Sequence, residues 1–445
     1  MNPTPASLPD DRLERRLPDA KPLFTPAEAV VEANRCLYCH DAPCVTACPT
    51  GIDIPTFIRK IATGNNAGSA RVILSANVLG YSCARVCPVE VLCVGACVYN
   101  AWHRDPAIQI GRLQRFATET AMRNGRAGSL LAKAPANGKR VACVGAGPAS
   151  LACAAYLALE GFAVTLFEKR PLAGGLNTSG VAPYKMPADD ALAEVDFVRS
   201  LGVEIRTGVE VKPGPTAEAL VREFDAVFLG PGLGADTRLG VPGEDGPGVL
   251  GAVQWIEQMK LDPKAALAGV QKAVVIGGGN TAIDAARELA GLGVPSVSML
   301  YRRTTKDMSG YAHELEHARA EGVVLHERAV PVSFARDAKG ALTGIVLQSG
   351  ETVACDFCVV AIGQARLREL ADCFPGVRLD ARGSIVADPK TGATGHAKVF
   401  AGGDAMRGGE LVVTAVQDGK RAARGICAAL GITPRDGSPM RAGHE

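Results

Sequence analysis

Eight of the fourteen cysteines in this 445-residue chain fall between Cys36 and Cys97. Cys36, Cys39, Cys44 and Cys48 form "CLYCHDAPCVTACP", a C-x2-C-x4-C-x3-C-P run, and Cys83, Cys87, Cys93 and Cys97 follow in "CARVCPVEVLCVGAC". Thiols at this density mean disulfides, metal ligation or redox chemistry. The polar, proline-rich start, "MNPTPASLPDDRLERRLPDAKP", lacks the apolar core of a secretory signal. No later run approaches the roughly 18 apolar residues of a membrane span. A cytoplasmic protein without a membrane partner is expected, and in that compartment disulfides are rare. Metal ligation is therefore the favoured reading of the two arrays. The other cysteines, Cys143, Cys153, Cys355, Cys358, Cys373 and Cys427, are scattered.

Zinc sites favour paired C-x2-C knuckles. Only Cys36 and Cys39 have that spacing here. Both arrays instead resemble ferredoxin runs, where neighbouring cysteines serve two clusters and proline follows the last thiol, as at Cys48-Pro49 and Cys87-Pro88. Iron-sulfur chemistry is thus expected over zinc. Spacing alone nominates Cys83 with the other seven thiols.

The elements that position these thiols read as helices. "LFTPAEAVVEANRC" offers Thr25 as N-cap, Pro26 at the first helical position and Glu28 for a capping box, and "IPTFIRKIA" is a second helix. A small-residue linker is expected at 126–138. Beyond it the texture becomes apolar strands, glycine turns and alanine-rich helices, the pattern of doubly wound α/β units. Composition is that of an ordinary globular chain, 47% apolar and 21% charged. A net charge of +2 gives no electrostatic reason to expect nucleic acid as a partner.

Two glycine turns carry the next chemistry. "KRVACVGAGPASLACAAYLALEGFAVTLFEK" predicts strand, turn, helix and strand, with Gly145, Gly147 and Ser150 in the turn and Glu168 at the end. Such glycines let backbone approach a pyrophosphate at a helix N-terminus, and the acid can accept from a ribose hydroxyl. "KAVVIGGGNTAIDAARELAGLGVPSVSMLYRRT" repeats the unit with Gly277, Gly279 and Ala282. It ends on Arg302 and Arg303, whose guanidiniums suit a 2'-phosphate better than a bare ribose. Near the C-terminus, "KVFAGGDAMRGGELVVTAVQDGKRAA" predicts a strand, Gly402-Gly403-Asp404 and a helix. The whole resembles the two-dinucleotide flavoprotein reductases, which implies a split FAD domain with a nicotinamide domain inserted. Hydride transfer between stacked cofactors needs no side-chain acid or base, so no catalytic residue is assigned.

In this order the motifs, with "IGRLQRFA" after the second array, closely resemble the electron-input half of dihydropyrimidine dehydrogenase over about residues 25–430. Glutamate synthase small subunits share the architecture. Their second array is C-x3-C-x3-C, however, whereas here Cys87-x5-Cys93-x3-Cys97 favours the pyrimidine enzyme. The resemblance implies one 4Fe-4S cluster on Cys36, Cys39, Cys44 and Cys97, and another on Cys48, Cys87, Cys93 and Gln114. For FAD it implies Gly145, Ala146, Gly147, Pro148, Ala149, Glu168, Leu176, Lys185, where the family often has arginine, Gly403 and Asp404. For NADPH or NADH it implies Gly279, Asn280, Thr281, Ala282, Arg302, Arg303, Ala361, Ile362 and Gly363. Ser309 stands near the place of a third phosphate-binding arginine in NADPH-using relatives, leaving NAD versus NADP open.

The expected organisation is a helical two-cluster domain over 1–135, a FAD domain from 136–250 and 367–445, and an NAD(P) domain over 251–366. Nothing resembles an FMN-binding barrel. A separate FMN-containing catalytic subunit, in a heterotetramer, is therefore expected to interconvert uracil or thymine with the 5,6-dihydro forms. Two further motifs invite other chemistry. "HELEH", His313 to His317, matches a zinc-protease pattern but reads as a solvated helix face. "CDFC", Cys355 to Cys358, leads into a strand, where residues three apart face opposite sides and make a poor dithiol.

Overall fold

The computed structural model describes residues 8–104, 106–265 and 267–441. They divide into two compact units. One comprises Lys21–Asn177, Asp189–Leu233 and the chain from Arg366; the other comprises the N-terminal segment to Ala20, Thr178–Ala188 and Gly234–Ala365.

The first unit holds both cysteine arrays and one parallel sheet. Helix Pro26–Ala33 begins on the expected capping box, with Thr25 accepting from the Glu28 N–H. In helix Ile54–Ala62 the residues Ile54, Phe57, Ile58 and Ile61 share one buried face. The sheet runs Val399–Ala401, Ala226–Leu229, Arg140–Val144, Ala163–Glu168, Glu204–Thr207, all neighbours parallel. Strand order reverses at Arg140–Val144, and dinucleotides bind at such switch points.

The second unit repeats the plan with Val249–Gly251, Phe357–Val360, Lys272–Ile276, Ser296–Tyr301 and Val324–Glu327, again parallel. A three-stranded antiparallel sheet, Pro331–Arg336, Leu342–Leu347 and Thr352–Ala354, adjoins it. Continuous apolar runs such as "AVVI" and "CVV" suit strands buried on both faces.

Strand Val249–Gly251 pairs with Phe357–Val360, inside the stretch Gly234–Ala365 of the second unit. Residues 1–135 are no separate body: Ala70, Leu74, Val78 and Leu79 share one core with Leu151, Tyr156 and Leu157. The expected linker is also partly packed, since Ala127 and Leu131 are buried in that core.

Candidate cluster and dinucleotide sites

The expected first ligand set meets at one cavity. Cys36, Cys39, Cys44 and Cys97 line it together with Ile54, Ile58, Ile108 and Ile110. Cys36 follows helix Pro26–Ala33, Cys44 lies in the short helix Pro43–Thr46, and Cys97 precedes helix Val98–Ala101. Tyr38, between the first two, takes a left-handed φ of 52°, and the Arg59 guanidinium lies 4.8 Å over its ring. Burial pushes Cys44 up to about 12, with Cys36, Cys97 and Cys39 adding like-charge repulsion. Burial is also the main cause that raises Cys36. Thiols crowded in this way cannot all ionise in an apolar cavity unless a cationic centre is present. The donor set thus fits iron.

Cys48, Cys87 and Cys93 form a second group. Burial raises Cys93 above its ordinary value, followed by the charges of Cys48, Cys87 and Cys44. Gln114, in helix Ile110–Arg123, is buried and donates from Nε2 to the Gly80 carbonyl at 2.7 Å. That bond leaves Oε1 as the end suited to a metal. Cys83 is occupied differently: Asn77 Nδ2 donates to its sulfur at 3.2 Å, and a hydrogen bond to Cys87 is the main cause raising its pKa.

The sequence offered no signal for how this module is braced. Glu194, buried in helix Ala188–Ser200, accepts the N–H groups of Tyr81 and Ser82 at 3.1 Å each, and the Ser82 hydroxyl. Those donors open helix Gly80–Val86, which runs into Cys87. Asn177 Nδ2 donates to the same Ser82 hydroxyl at 2.9 Å, so the residue beside Leu176 is tied to the cluster helix.

At the first glycine turn, Gly145 has φ 87°, and a Cβ there would lie 2.7 Å from the Gly230 carbonyl oxygen. Gly147 caps helix Pro148–Leu159, which begins with Pro148 and Ala149. Gly174 N–H bonds to the Ala146 carbonyl at 2.8 Å, and a Cβ on Gly175 would stand 2.7 Å from Gly147 Cα. The turn before Leu176 thus closes over the helix start, and only glycine permits it. Glu168 accepts from the Ala146 and Arg170 N–H groups at 2.8 Å each. Each of its oxygens keeps a lone pair for a ribose hydroxyl. A Cβ on Gly403 would meet Ala149 Cβ at 2.8 Å, so the Gly403-Asp404 turn also lies on this helix start. Asp418 fixes that turn, accepting from Gly403 N–H at 3.1 Å and from both ends of the Arg407 guanidinium. Asp404 accepts from Glu410 N–H at 3.0 Å, and burial raises its pKa. Two converging turns and a helix N-terminus fit a bound FAD pyrophosphate.

The ammonium of Lys185, a residue expected at the flavin, bonds Asp284 at 2.8 Å and Glu314 at 2.7 Å, all three residues lying in the unit that holds the second glycine turn. Tyr184 donates to the same Asp284 oxygen at 2.6 Å, and Arg287 binds both Glu314 and Glu321. This corrects the reading of "HELEH" as a solvated face, because Glu314 is a largely buried ion-pair partner. His313 and His317 stand edge to face, 6.4 Å apart. Cys355 and Cys358 are both buried free thiols in one apolar cluster.

In the second turn, a Cβ on Gly277 would lie 2.3 Å from the Ala361 carbonyl oxygen, so Ala361, followed by Ile362 and Gly363, passes directly against it. Gly279 caps helix Asn280–Gly291, whose first turn holds Thr281 and buried Ala282. Asn280 Oδ1 accepts from Tyr311 N–H at 2.9 Å, so this expected ligand also holds the adjoining loop. Ser309 Oγ stands 3.5 Å from where a Gly279 Cβ would be. Arg302 and Arg303 are both exposed, but Arg303 is drawn to the Tyr301 hydroxyl at 3.0 Å. Ile362 is 40% exposed.

Two family descriptions match the chain: "dihydropyrimidine dehydrogenase domain II, 4Fe-4S cluster" over residues 14–126, and "pyridine nucleotide-disulphide oxidoreductase" over 139–419. Glutamate synthase [NADPH] small chain of Halomonas elongata is 34% identical, covering 91% of each chain. NAD-dependent dihydropyrimidine dehydrogenase subunit PreT of Escherichia coli O157:H7 is also 34% identical, over 92% of this chain and 96% of that one. The NADP(+)-dependent formate dehydrogenase subunit beta of Moorella thermoacetica is 35% identical, and the match spans 59% of its length. Among solved structures, T. acidophilum thioredoxin reductase matches with a TM-score of 0.54 and 25% identity, over 65% of this chain and 97% of that one.

Proposed function

Because the chain belongs to the pyridine nucleotide-disulphide oxidoreductases and carries a 4Fe-4S module ahead of that fold, we propose that it is the electron-input subunit of a dihydropyrimidine dehydrogenase. Its cofactors are NAD(P)H, FAD and 4Fe-4S clusters. Bound flavin accepts electrons in pairs and releases them singly, the form in which iron-sulfur centres carry them. The chain's part is placement. The helix starts at Pro148 and Asn280 direct backbone N–H groups at two pyrophosphates, Glu168 holds a ribose, and Arg302 and Arg303 meet the adenosine end of the nicotinamide cofactor. Cys48, Cys87, Cys93 and Gln114 hold one cluster, and Cys36, Cys39, Cys44 and Cys97 hold the other. Each set mixes buried and half-buried thiols, since Cys48, Cys93 and Cys97 are buried while Cys36, Cys39, Cys44 and Cys87 are half-buried.

The observation that carries this reading is the cavity where Cys36, Cys39, Cys44 and Cys97 meet, in the same compact unit as the FAD turn. The partner is an FMN-containing subunit that interconverts uracil or thymine with the 5,6-dihydro forms. The C-x5-C-x3-C spacing of Cys87, Cys93 and Cys97 favours that client. The rival client is the large partner of a glutamate synthase, favoured by the equal identity of a small chain from that enzyme. Purification from native cells with the partner attached, then assay, separates the two. The purified chain alone should reduce dyes with NAD(P)H and leave uracil untouched, and the complex should reduce uracil. A complex that forms glutamate and ignores uracil would overturn the assignment.

A further inference from the structure

At the carboxyl edge of the second parallel sheet, two neighbouring strands each end on arginine. Strand Ser296–Tyr301 runs into Arg302 and Arg303, and strand Val324–Glu327 runs into Arg328. The strands pair with Tyr301 opposite Glu327, so the arginines stand side by side just past the last pair. Two backbone bonds fix that placement: Arg328 N–H donates to the Arg303 carbonyl at 3.0 Å, and Ala329 N–H to the Tyr301 carbonyl at 2.9 Å. Arg328 holds a left-handed φ of 54°, which asparagine or glycine would take more readily. An arginine therefore stands where local backbone preference argues against it, and such outliers gather at ligand sites. All three arginines are exposed. Arg303 is engaged by the Tyr301 hydroxyl, whereas among the described residues the guanidiniums of Arg302 and Arg328 make no hydrogen bond or ion pair. The nearby carboxylates are committed elsewhere, Asp307 to the Thr304 N–H and hydroxyl, Glu327 to the Thr305 N–H at 2.6 Å and to its hydroxyl.

We propose that Arg328 is a specificity-determining residue of the nicotinamide site, closing with Arg302 on the 2'-phosphate of NADPH. The inference rests on the reading of this unit as the nicotinamide-binding one. In such units the glycine turn takes the pyrophosphate, and the end of the second strand meets the adenosine ribose. Here that end is Arg302. The next strand lies about 4.8 Å to the side, so a phosphate on the ribose is flanked by Arg302 from one strand and by Arg328 from the other. Guanidiniums bind phosphate oxygens in a planar, paired geometry. A bare 2'-hydroxyl offers neither that geometry nor a charge, and leaves Arg302 and Arg328 to repel each other. The chain therefore takes NADPH in preference to NADH.

The test is calorimetric binding of adenosine 2',5'-bisphosphate and of adenosine 5'-monophosphate to the purified holoprotein, with KM measured for NADPH and NADH against a dye. The native chain should bind the bisphosphate about tenfold more tightly or better. Arg328→Asn, which suits the left-handed backbone, should weaken the bisphosphate about tenfold, leave the monophosphate almost unchanged, and raise the KM of NADPH relative to that of NADH by the same factor. Arg328→Lys should recover part of the preference by keeping the charge. A merely structural role for Arg328 would move both nucleotides together. Equal binding of the two nucleotides by the native protein, or equal effects of Arg328→Asn on both, would overturn the clamp while leaving nicotinamide binding in place. Binding of neither nucleotide, with no dye reduction by either coenzyme, would remove the reading of the unit itself.

Discussion

Replacing Glu194 with glutamine should abolish a pH dependence of stability that the native chain carries. Burial raises the Glu194 pKa from 4.5 to about 7, against the hydrogen bonds from Ser82 and Tyr81 that lower it, with Asp190 adding to the rise. The folded protein thus binds this proton more tightly than the unfolded chain. The resulting stability is complete below about 4.5 and is lost as pH rises through about 7. At about 1.4 kcal/mol per pH unit, the loss is on the order of 3 kcal/mol. Glutamine keeps an acceptor for the Tyr81 and Ser82 N–H groups but has no proton to release. Urea unfolding at pH 5.5 and pH 8 should show the native midpoint falling between the two, while that of Glu194→Gln holds steady. Because these donors open the helix that leads to Cys87, iron should also be lost more readily from the native protein at pH 8. Parallel pH profiles for the two proteins would refute the reasoning.

Six other substitutions probe the sites. Cys44→Ser should reduce bound iron from about eight to about four atoms per chain, while Cys83→Ser should leave it unchanged, read by iron and sulfide assay. Gly175→Ala should yield protein with little bound FAD, read by flavin absorbance, because the new methyl would stand 2.7 Å from Gly147 Cα at a φ of 56°. Arg302→Ala should raise KM for NADPH about tenfold more than KM for NADH, and Arg303→Ala should do less because Tyr301 already engages that guanidinium. Lys185→Met should lower stability by about 3 kcal/mol, by leaving Asp284 and Glu314 facing each other, with the flavin spectrum unchanged.

The parts legible in the sequence are those whose chemistry is local. A glycine turn declares itself because the same few residues make the backbone bend and admit the phosphate, and the Thr25-Pro26-Glu28 cap is equally self-contained. The ion pairs of Lys185 with Asp284 and Glu314 left no local signal, because those partners lie about a hundred residues or more along the chain and no spacing rule connects them. Glu194 carries no local signal, since its role depends on its burial and on its bonds to the Tyr81 and Ser82 N–H groups, more than a hundred residues earlier. Asp418 and Lys420 did leave a trace: of the four charges inside "VVTAVQDGKRAARGI", these two fall among the buried positions of helix Val412–Ala429. The pairing of Val249–Gly251 with Phe357–Val360 is a non-local choice that no local pattern announces.

From Ala149 to Leu159 every residue of the helix behind the first glycine turn is buried, and part of its cover comes from Ala70, Leu74, Val78 and Leu79. The N-terminal third is therefore a wall of the flavin half. Oxygen damage that unravels the iron sites should strip greasy surface bare well away from the metal, so that bleached protein also becomes sticky protein.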